Sequence, residues 1–343
     1  MLHAKKPSRL DHSARLLGNV LALAGAALAC LVIVLPRAGI ANDDYPNRVV
    51  KIVVPFAPGT TADQIPRLIG EKLTARWGQP FIIENRPGAT GNIGAEIVAR
   101  AEPDGYTLLS TAAPPLAINQ SLDPNLKFDP AAFVPISLMT VVPNVLVVNA
   151  KVQANTLQEF IALAKSKPGE LTYVSTGRGG TPTLAMEALK LKSGIDLRDI
   201  PFRQGTGPAM IELLGGRVDA MFVNISEGLP QIRAGGVKAL AVTTDKRVPQ
   251  LPDVPALAEF YPGYYSSTWY AMVAPPKTPQ AIADKLAKAV IEVLQMQSVR
   301  TRLEEQAMQV VAAPPAQTAA FIKQEVTRWR EVIKAVEGKA KSN

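Results

Sequence analysis

Residues 49–64 constrain the fold most, because in them an apolar strand runs through a tight turn into the start of a helix. The first half, VVKIVVPF, is β-branched and carries one charge, which is typical of a strand buried on both faces of a parallel sheet. Pro58 and Gly59 end the strand, and Asp63 is the predicted N-cap of the helix that follows. A helix that starts at the carboxyl end of a sheet presents free N–H groups and a positive dipole end, so this turn suits an anion.

The same unit recurs along the chain, which predicts an α/β fold with parallel sheets. The strands are predicted at 49–56, 81–84, 107–111, 145–148, 172–175, 199–202, 220–223, 239–243 and 271–274. Two sets of these units predict two lobes, the first made of residues 42–145 and 266–343 and the second of residues 146–265. The aromatic residues at 261–270 are predicted to pack where the chain returns between the lobes. A cleft between two lobes is a favoured place for a small-molecule ligand.

Residues 1–41 have the pattern of a secretory signal peptide, with basic residues, a long apolar segment and small residues before a cleavage site near Ala41. A retained membrane anchor is the alternative, since about 20 apolar residues can span a bilayer; a lipoprotein modified at Cys30 fits the sequence less well. Removal of this segment lowers the formal net charge from +8 to +4, because it contains five basic residues and one acid. The basic residues that remain are scattered, and no nucleic-acid-binding signature is present.

Both histidines, His3 and His12, and the only cysteine, Cys30, lie in the predicted signal peptide. The predicted mature chain therefore has no Ser-His-Asp or Cys-His catalysis, no thiolate or imidazole metal site and no disulfide. We expect neither a metal nor a cofactor. An enzyme that uses carboxylates such as Asp63 or Glu84 stays open, although the sequence shows no pair of acids at a telling spacing.

A glycine-rich turn at residues 88–94 has the spacing G-x-x-G-x-x-G between a strand and a helix, which is a weak dinucleotide-binding signal. About 20 residues further on, at Leu108 and Leu109, no acid is present to hold a ribose. A structural turn is therefore the favoured interpretation.

Several segments in order resemble the periplasmic solute receptors of tripartite tricarboxylate transporters, often called the Bug family. These segments are YPNRVVKIVVPFAPG (45–59), ENRPGATGNIGAE (84–96), PDGYTLL (103–109), PNVLVVN (143–149), LLGGRVDAMF (213–222), LPDVPALAE (251–259) and the closing helix with Trp329. The resemblance covers essentially all of the chain after residue 41. It implies a two-lobed periplasmic-binding-protein fold of type II, which closes like a Venus flytrap and performs no catalysis. It also implies a small carboxylate held by backbone N–H groups and waters, and delivery to membrane permease subunits by a monomer.

The turns between strands and helices supply the candidate ligand-binding residues. These are Phe56, Pro58, Gly59, Thr60, Thr61, Asp63, Ser110, Thr111, Ala112, Ser175, Thr176, Gly177, Arg178, Gly179, Gly205, Thr206 and Asn224. Two of them have alternative roles: Asp63 either caps its helix or selects an amine, and Arg178 either pairs with a distal carboxylate or is solvated.

The chain departs from the family pattern where the ligand is expected. Thr60, Thr61 and Ala62 replace glycines, Arg178 replaces a small or amide residue, and Thr183 replaces a frequent histidine. We therefore transfer no particular ligand, and a receptor that signals instead of transporting has the same sequence features.

Overall fold

The computed structural model of the protein describes residues 44–202 and 205–340. The predicted signal peptide and its cleavage site near Ala41 lie outside the described residues, as do Arg203 and Gln204 of the loop before Gly205. None of the helices in the described residues has both the length and the hydropathy of a membrane span.

Strands and helices alternate through most of the chain, as the sequence predicts. The strands are β1 (Val50–Val54), β2 (Phe81–Asn85), β3 (Thr107–Ala112), β4 (Val134–Asn149), β5 (Thr172–Ser175), β6 (Arg198–Pro201), β7 (Ala220–Asn224), β8 (Val237–Val242), β9 (Ser267–Ala274) and β10 (Gln309–Ala313). The helices are α1 (Thr61–Trp77), α2 (Asn92–Ala99), α3 (Asn119–Leu122), α4 (Leu157–Ser166), α5 (Thr181–Ser193), α6 (Thr206–Leu214), α7 (Ile225–Arg233), α8 (Gln280–Gln295), α9 (Gln297–Glu304) and α10 (Pro315–Ala340).

The strands form two sheets that share β4. Sheet A has the order β2-β1-β3-β9-β4 with β10 on β4, and sheet B joins β7, β5 and β6 on one side of β4 and β8 on the other. The β1, β2, β3 group and the β5, β6, β7 group are parallel, whereas every pairing of β4 and β9 is antiparallel. The predicted parallel strands are therefore present in each lobe, and the antiparallel pairings of β4 and β9 are an addition that the sequence pattern did not predict.

β4 is far longer than the predicted strand at 145–148. The prediction missed its first part because Pro135 and Pro143 interrupt the strand pattern in the sequence. Residues 134–143 pair with β9 in sheet A, and residues 144–149 pair with β7 and β8 in sheet B. The register against β9 shifts between Pro135 and Ser137 and again between Leu138 and Thr140, and such irregularities accommodate a proline in a strand. The exact lobe boundaries at 145/146 and 265/266 stay a prediction.

Each sheet has an apolar core on both faces. On sheet A, one cluster includes Ile52, Ile69 and Leu286, and the other joins Val53 to Trp269 and Trp329. Four of the five residues of β1 are at most 1% exposed, on both faces of the strand, and Lys51 alone is exposed. Two further clusters cover sheet B. Packing on both faces therefore fixes the positions of the strand ends, from which the turns that line the cavity extend.

Candidate ligand-binding cleft

A cavity of about 710 Å³ lies at the ends of strands from both sheets. Its walls come from the turns after β1, β2, β3, β5, β6 and β7, and from β9. In α/β proteins, ligands bind outside the carboxyl ends of the strands, and this cavity has that location. Its volume is in the range of cavities that hold small-molecule ligands.

The cavity brings together most of the predicted site residues. Those that line it are Phe56, Thr60, Ala112, Ser175, Thr176, Gly177, Arg178, Gly179, Gly205, Thr206 and Asn224. Those that do not are Pro58, Gly59, Thr61, Asp63, Ser110 and Thr111. Ser110 and Thr111 are buried inside β3, and Pro58 and Gly59 are exposed on the outer side of the turn.

Asp63 stabilises the turn before α1. The N-cap position belongs to Thr60, so the prediction of Asp63 as N-cap is wrong by three residues. From the third helical position, the Asp63 carboxylate accepts hydrogen bonds from Gly59 N, Arg67 Nε and Asn85 Nδ2, each at 2.9 Å. Burial by itself raises the pKa of Asp63, but these hydrogen bonds and the Arg67 charge outweigh it and lower the pKa. Neither Gly59 N–H nor Asp63 faces the cavity.

The first N–H group of α1 already has an anionic partner from the other lobe. Glu227 Oε1 accepts hydrogen bonds from Thr61 N at 2.9 Å and from Thr61 Oγ1 at 2.8 Å. Ser226 Oγ lies 2.7 Å from Thr61 Oγ1 and completes the contact. Glu227 therefore occupies the position at which the sequence predicted a ligand carboxylate. Sequence reasoning missed it because Glu227 is 166 residues from Thr61 and its only local signal is an acid in the first turn of α7.

Asn224 links Glu227 to β4, which both sheets share, and to β9 of sheet A. Its Nδ2 donates to Tyr270 Oη at 2.9 Å and to Glu227 Oε1 at 3.3 Å, and its Oδ1 accepts from Asn144 Nδ2 at 2.8 Å. Burial raises the pKa of Tyr270 well above its usual value, and the negative charge of Glu227 adds to the shift. The Thr268 hydroxyl, which also lines the cavity, is hydrogen-bonded to that of Thr181. The sequence gives no site signal for Thr268 or Tyr270, since both lie within β9.

The opposite wall is the loop 176–180, which leads into α5. Among the described residues, the backbone N–H groups of Gly177, Arg178 and Gly179 have no hydrogen-bond acceptor. These donors stand beside the start of a helix, a combination that suits an anion. The Arg178 guanidinium points outward: its side chain is 78% exposed and pairs with Glu337 Oε1 at 3.1 Å.

The glycine-rich turn after β2 faces this loop across the cavity. A Cβ on Gly177 would lie 2.7 Å from Thr90 Oγ1, and one on Gly179 would overlap Asn119 Oδ1. Thr90 itself has a positive φ of 50°, and Asn119 Nδ2 donates to its carbonyl oxygen at 3.1 Å. At this contact, side chains of the first lobe therefore pack directly against glycines of the second lobe, where no Cβ would fit.

The acids named for an enzymatic alternative do not meet in the cavity. Asp63 is bonded to Arg67, Glu84 is paired with Arg86 at 2.7 Å, and neither lines the cleft. Residues 44–202 and 205–340 also contain no group of three or more His, Cys, Asp or Glu side chains that could hold a metal ion.

Two α/β lobes that share β4 and enclose a cavity at their strand ends have the architecture of a solute-binding protein. The chain belongs to the receptor family of tripartite tricarboxylate transporters: the model of that family, "Tripartite tricarboxylate transporter family receptor", matches residues 65–337. This result confirms the resemblance seen in the sequence and the prediction of a binding protein rather than an enzyme.

Relatives and solved structures agree with this assignment. Protein BugT of Bordetella pertussis is 37% identical over 321 residues, which is 92% of this chain and 98% of that protein. R. palustris Rpa4515, solved with adipate, is 34% identical with a TM-score of 0.83, over 85% of this chain and 98% of that one. MatC from Rhodopseudomonas palustris, solved with bound malate, is 34% identical with a TM-score of 0.79, over 84% and 100% of the two chains. The predicted fold class is thereby confirmed.

Proposed function

We propose that the protein captures a small organic acid in the periplasm and delivers it to the permease subunits of a tripartite transporter. The observation that carries the proposal is that Gly177, Arg178 and Gly179 line the cleft and that their backbone N–H groups have no acceptor among the described residues. Family membership and the adipate and malate bound by two similar proteins support the same class of ligand.

In the proposed binding mode, the ligand carboxylate lies on the loop 176–180 and near Gly205 and Thr206 at the start of α6. The start of α5 adds the positive end of its dipole to these donors. The rest of the ligand reaches toward Thr60, Thr268 and Glu227 on the other side of the cavity. Because only the closed form offers both walls at once, the ligand favours closure of the lobes.

A thermal-shift screen of the purified protein tests this function against mono-, di- and tricarboxylates, aromatic acids, amino acids and nicotinamide nucleotides. A ligand that binds only the folded state raises the melting temperature by mass action. We expect one class of carboxylates to raise it. A shift with nucleotides alone would refute the receptor function and assign binding to the turn at Gly88.

The location and the partners are tested separately. We expect the protein to be released by osmotic shock from an expressing Gram-negative bacterium, with Asn42 as its first residue, and to sediment as a monomer. Reconstituted permease subunits should take up the acid only when the loaded receptor is present. Retention in the membrane fraction with an uncleaved N-terminus would instead support the anchor.

A further inference from the structure

We propose that Glu227 determines the specificity of the cleft: it fills the anion position at the start of α1, so that the protein accepts monocarboxylates with a hydrogen-bond donor at the far end and rejects dicarboxylates. The donor is an ammonium or a hydroxyl group. This inference rests on the proposed function and names the ligand class of the same site.

The first argument is that Glu227 already occupies the first donors of α1. A dicarboxylate that spans the cleft needs donors on both sides, and on the side opposite the loop 176–180 the start of α1 lines the cavity through Thr60 and Ala62. There, the N–H and the hydroxyl of Thr61 both donate to Glu227 Oε1. Thr61 is fully buried and the Thr60 N–H has only a long contact, 3.5 Å from Ala57 O. The N–H of Ala62, which also lines the cavity, has no acceptor among the described residues. A second ligand carboxylate at the start of α1 would therefore either displace Glu227 from the Thr61 donors or lie beside its negative charge.

The second argument is the charge of the cavity wall. The described lining contains three carboxylates, of Asp123, Asp199 and Glu227, and one cation, Arg178, which is directed outward to Glu337. Asp199 lies beside Ser175 at one part of the cavity wall, and Glu227 lies at another, beside Thr61. A second negative charge near Glu227, which is half-buried, meets repulsion from its carboxylate.

The third argument is that one carboxylate oxygen of Glu227, Oε2, remains available to accept a hydrogen bond from the ligand. Three donors converge on Glu227 Oε1, from Thr61 N, Thr61 Oγ1 and Asn224 Nδ2. Among the described residues, none donates to Glu227 Oε2, although an ionised carboxylate accepts at both oxygens. Glu227 is half-buried and lines the cavity, so an ammonium or hydroxyl group of the ligand can reach Oε2. The loop 176–180 then receives the single carboxylate.

Matched ligands that differ only at one end test the inference. Titration calorimetry compares succinate with 4-aminobutyrate and 4-hydroxybutyrate, and adipate with 6-aminohexanoate and 6-hydroxyhexanoate. In whichever of the two series binds more tightly, we expect the amino or hydroxy acid to bind at least tenfold more tightly than the diacid. Glu227→Gln, which keeps the size and an acceptor oxygen, should reduce this preference at least tenfold, and Glu227→Ser should make the diacid the better ligand.

Glu212→Gln is the control, because it removes one negative charge from an exposed ion pair with Arg217 in the same lobe, outside the cavity. Its preference should equal that of the unchanged protein within threefold. A diacid preference in the unchanged protein, or an unchanged preference in Glu227→Gln, overturns the inference and leaves the proposed function intact. If no acid of these series or of the wider carboxylate panel binds, both fail.

Discussion

At the scale of single residues, glycines set how closely the lobes approach. Gly177 has a φ of +117°, and a Cβ there would lie 2.7 Å from Thr90 Oγ1 in the other lobe. We expect Gly177→Ala to weaken binding of the acid ligand at least tenfold, because the lobes cannot close fully, and to lower the free energy of unfolding by about 1 kcal/mol through backbone strain. Calorimetric titration and urea denaturation measure the two effects.

Gly194→Ala separates strain from closure. Gly194 also has a positive φ, +70°, but nothing lies within 4 Å of its Cβ position. This variant should lose about the same 1 kcal/mol of stability and keep its affinity within twofold. An equal loss of affinity in both variants would show that strain, and not contact between the lobes, is the cause.

Glu325 is a second residue whose contacts predict a measurable effect. It is 6% exposed and accepts the indole N–H groups of Trp269 at 2.8 Å and Trp329 at 2.9 Å, and it pairs with Arg328 at 2.6 Å. Glu325→Ala leaves buried donors and a cation without their acceptor, so we expect a loss of about 3 kcal/mol in the free energy of unfolding. Glu331→Ala, on an exposed position of the same helix, should change it by less than about 0.5 kcal/mol.

At the scale of elements, Asp63 ties the start of α1 to the β1 turn and to β2, and this link depends on pH. The folded-state pKa of Asp63 is lower than in the unfolded chain, so the unfolded state takes up its proton first as the pH falls. The stabilisation is therefore complete above the unfolded pKa of about 4 and is lost as the pH drops through the lower folded pKa.

The test is urea denaturation of the protein and of Asp63→Asn between pH 7 and pH 2.5. The free energy of unfolding of Asp63→Asn should be lower at pH 7 and should fall less steeply below pH 4, so that the two curves converge. Parallel curves over this range would contradict the role given to the Asp63 carboxylate.

At the scale of the whole molecule, the exposed Arg178–Glu337 ion pair joins the two lobes. Its side chains are 78% and 46% exposed, and such surface pairs contribute about 0–1 kcal/mol. We expect Arg178→Ala to keep its affinity for the acid within threefold. It should also show the same decrease in radius of gyration on ligand addition, measured by small-angle X-ray scattering. A tenfold loss of affinity would instead make Arg178 a direct partner of the ligand carboxylate.

Elements with a clear local pattern were predictable from the sequence, and those that depend on distant partners were not. The buried run at β1 and the amphipathic pattern of α8 need only their own residues to be recognised. The prolines at 135 and 143 concealed the length of β4, and β10 was missed because its five residues become a strand only by pairing with β4. Local propensity carries no information about such pairing.

The sequence by itself determined the alternation of strands and helices, the family and the turns that line the cleft, because each of these depends on the pattern of residues adjacent in the chain. Only the tertiary structure decided which groups in those turns are available. It engages the N–H of Gly59 with Asp63 and the N–H of Thr61 with Glu227, and it leaves the loop 176–180 facing the cavity. The physical reason is that a hydrogen bond between residues 166 positions apart forms only when the fold brings them to 2.9 Å.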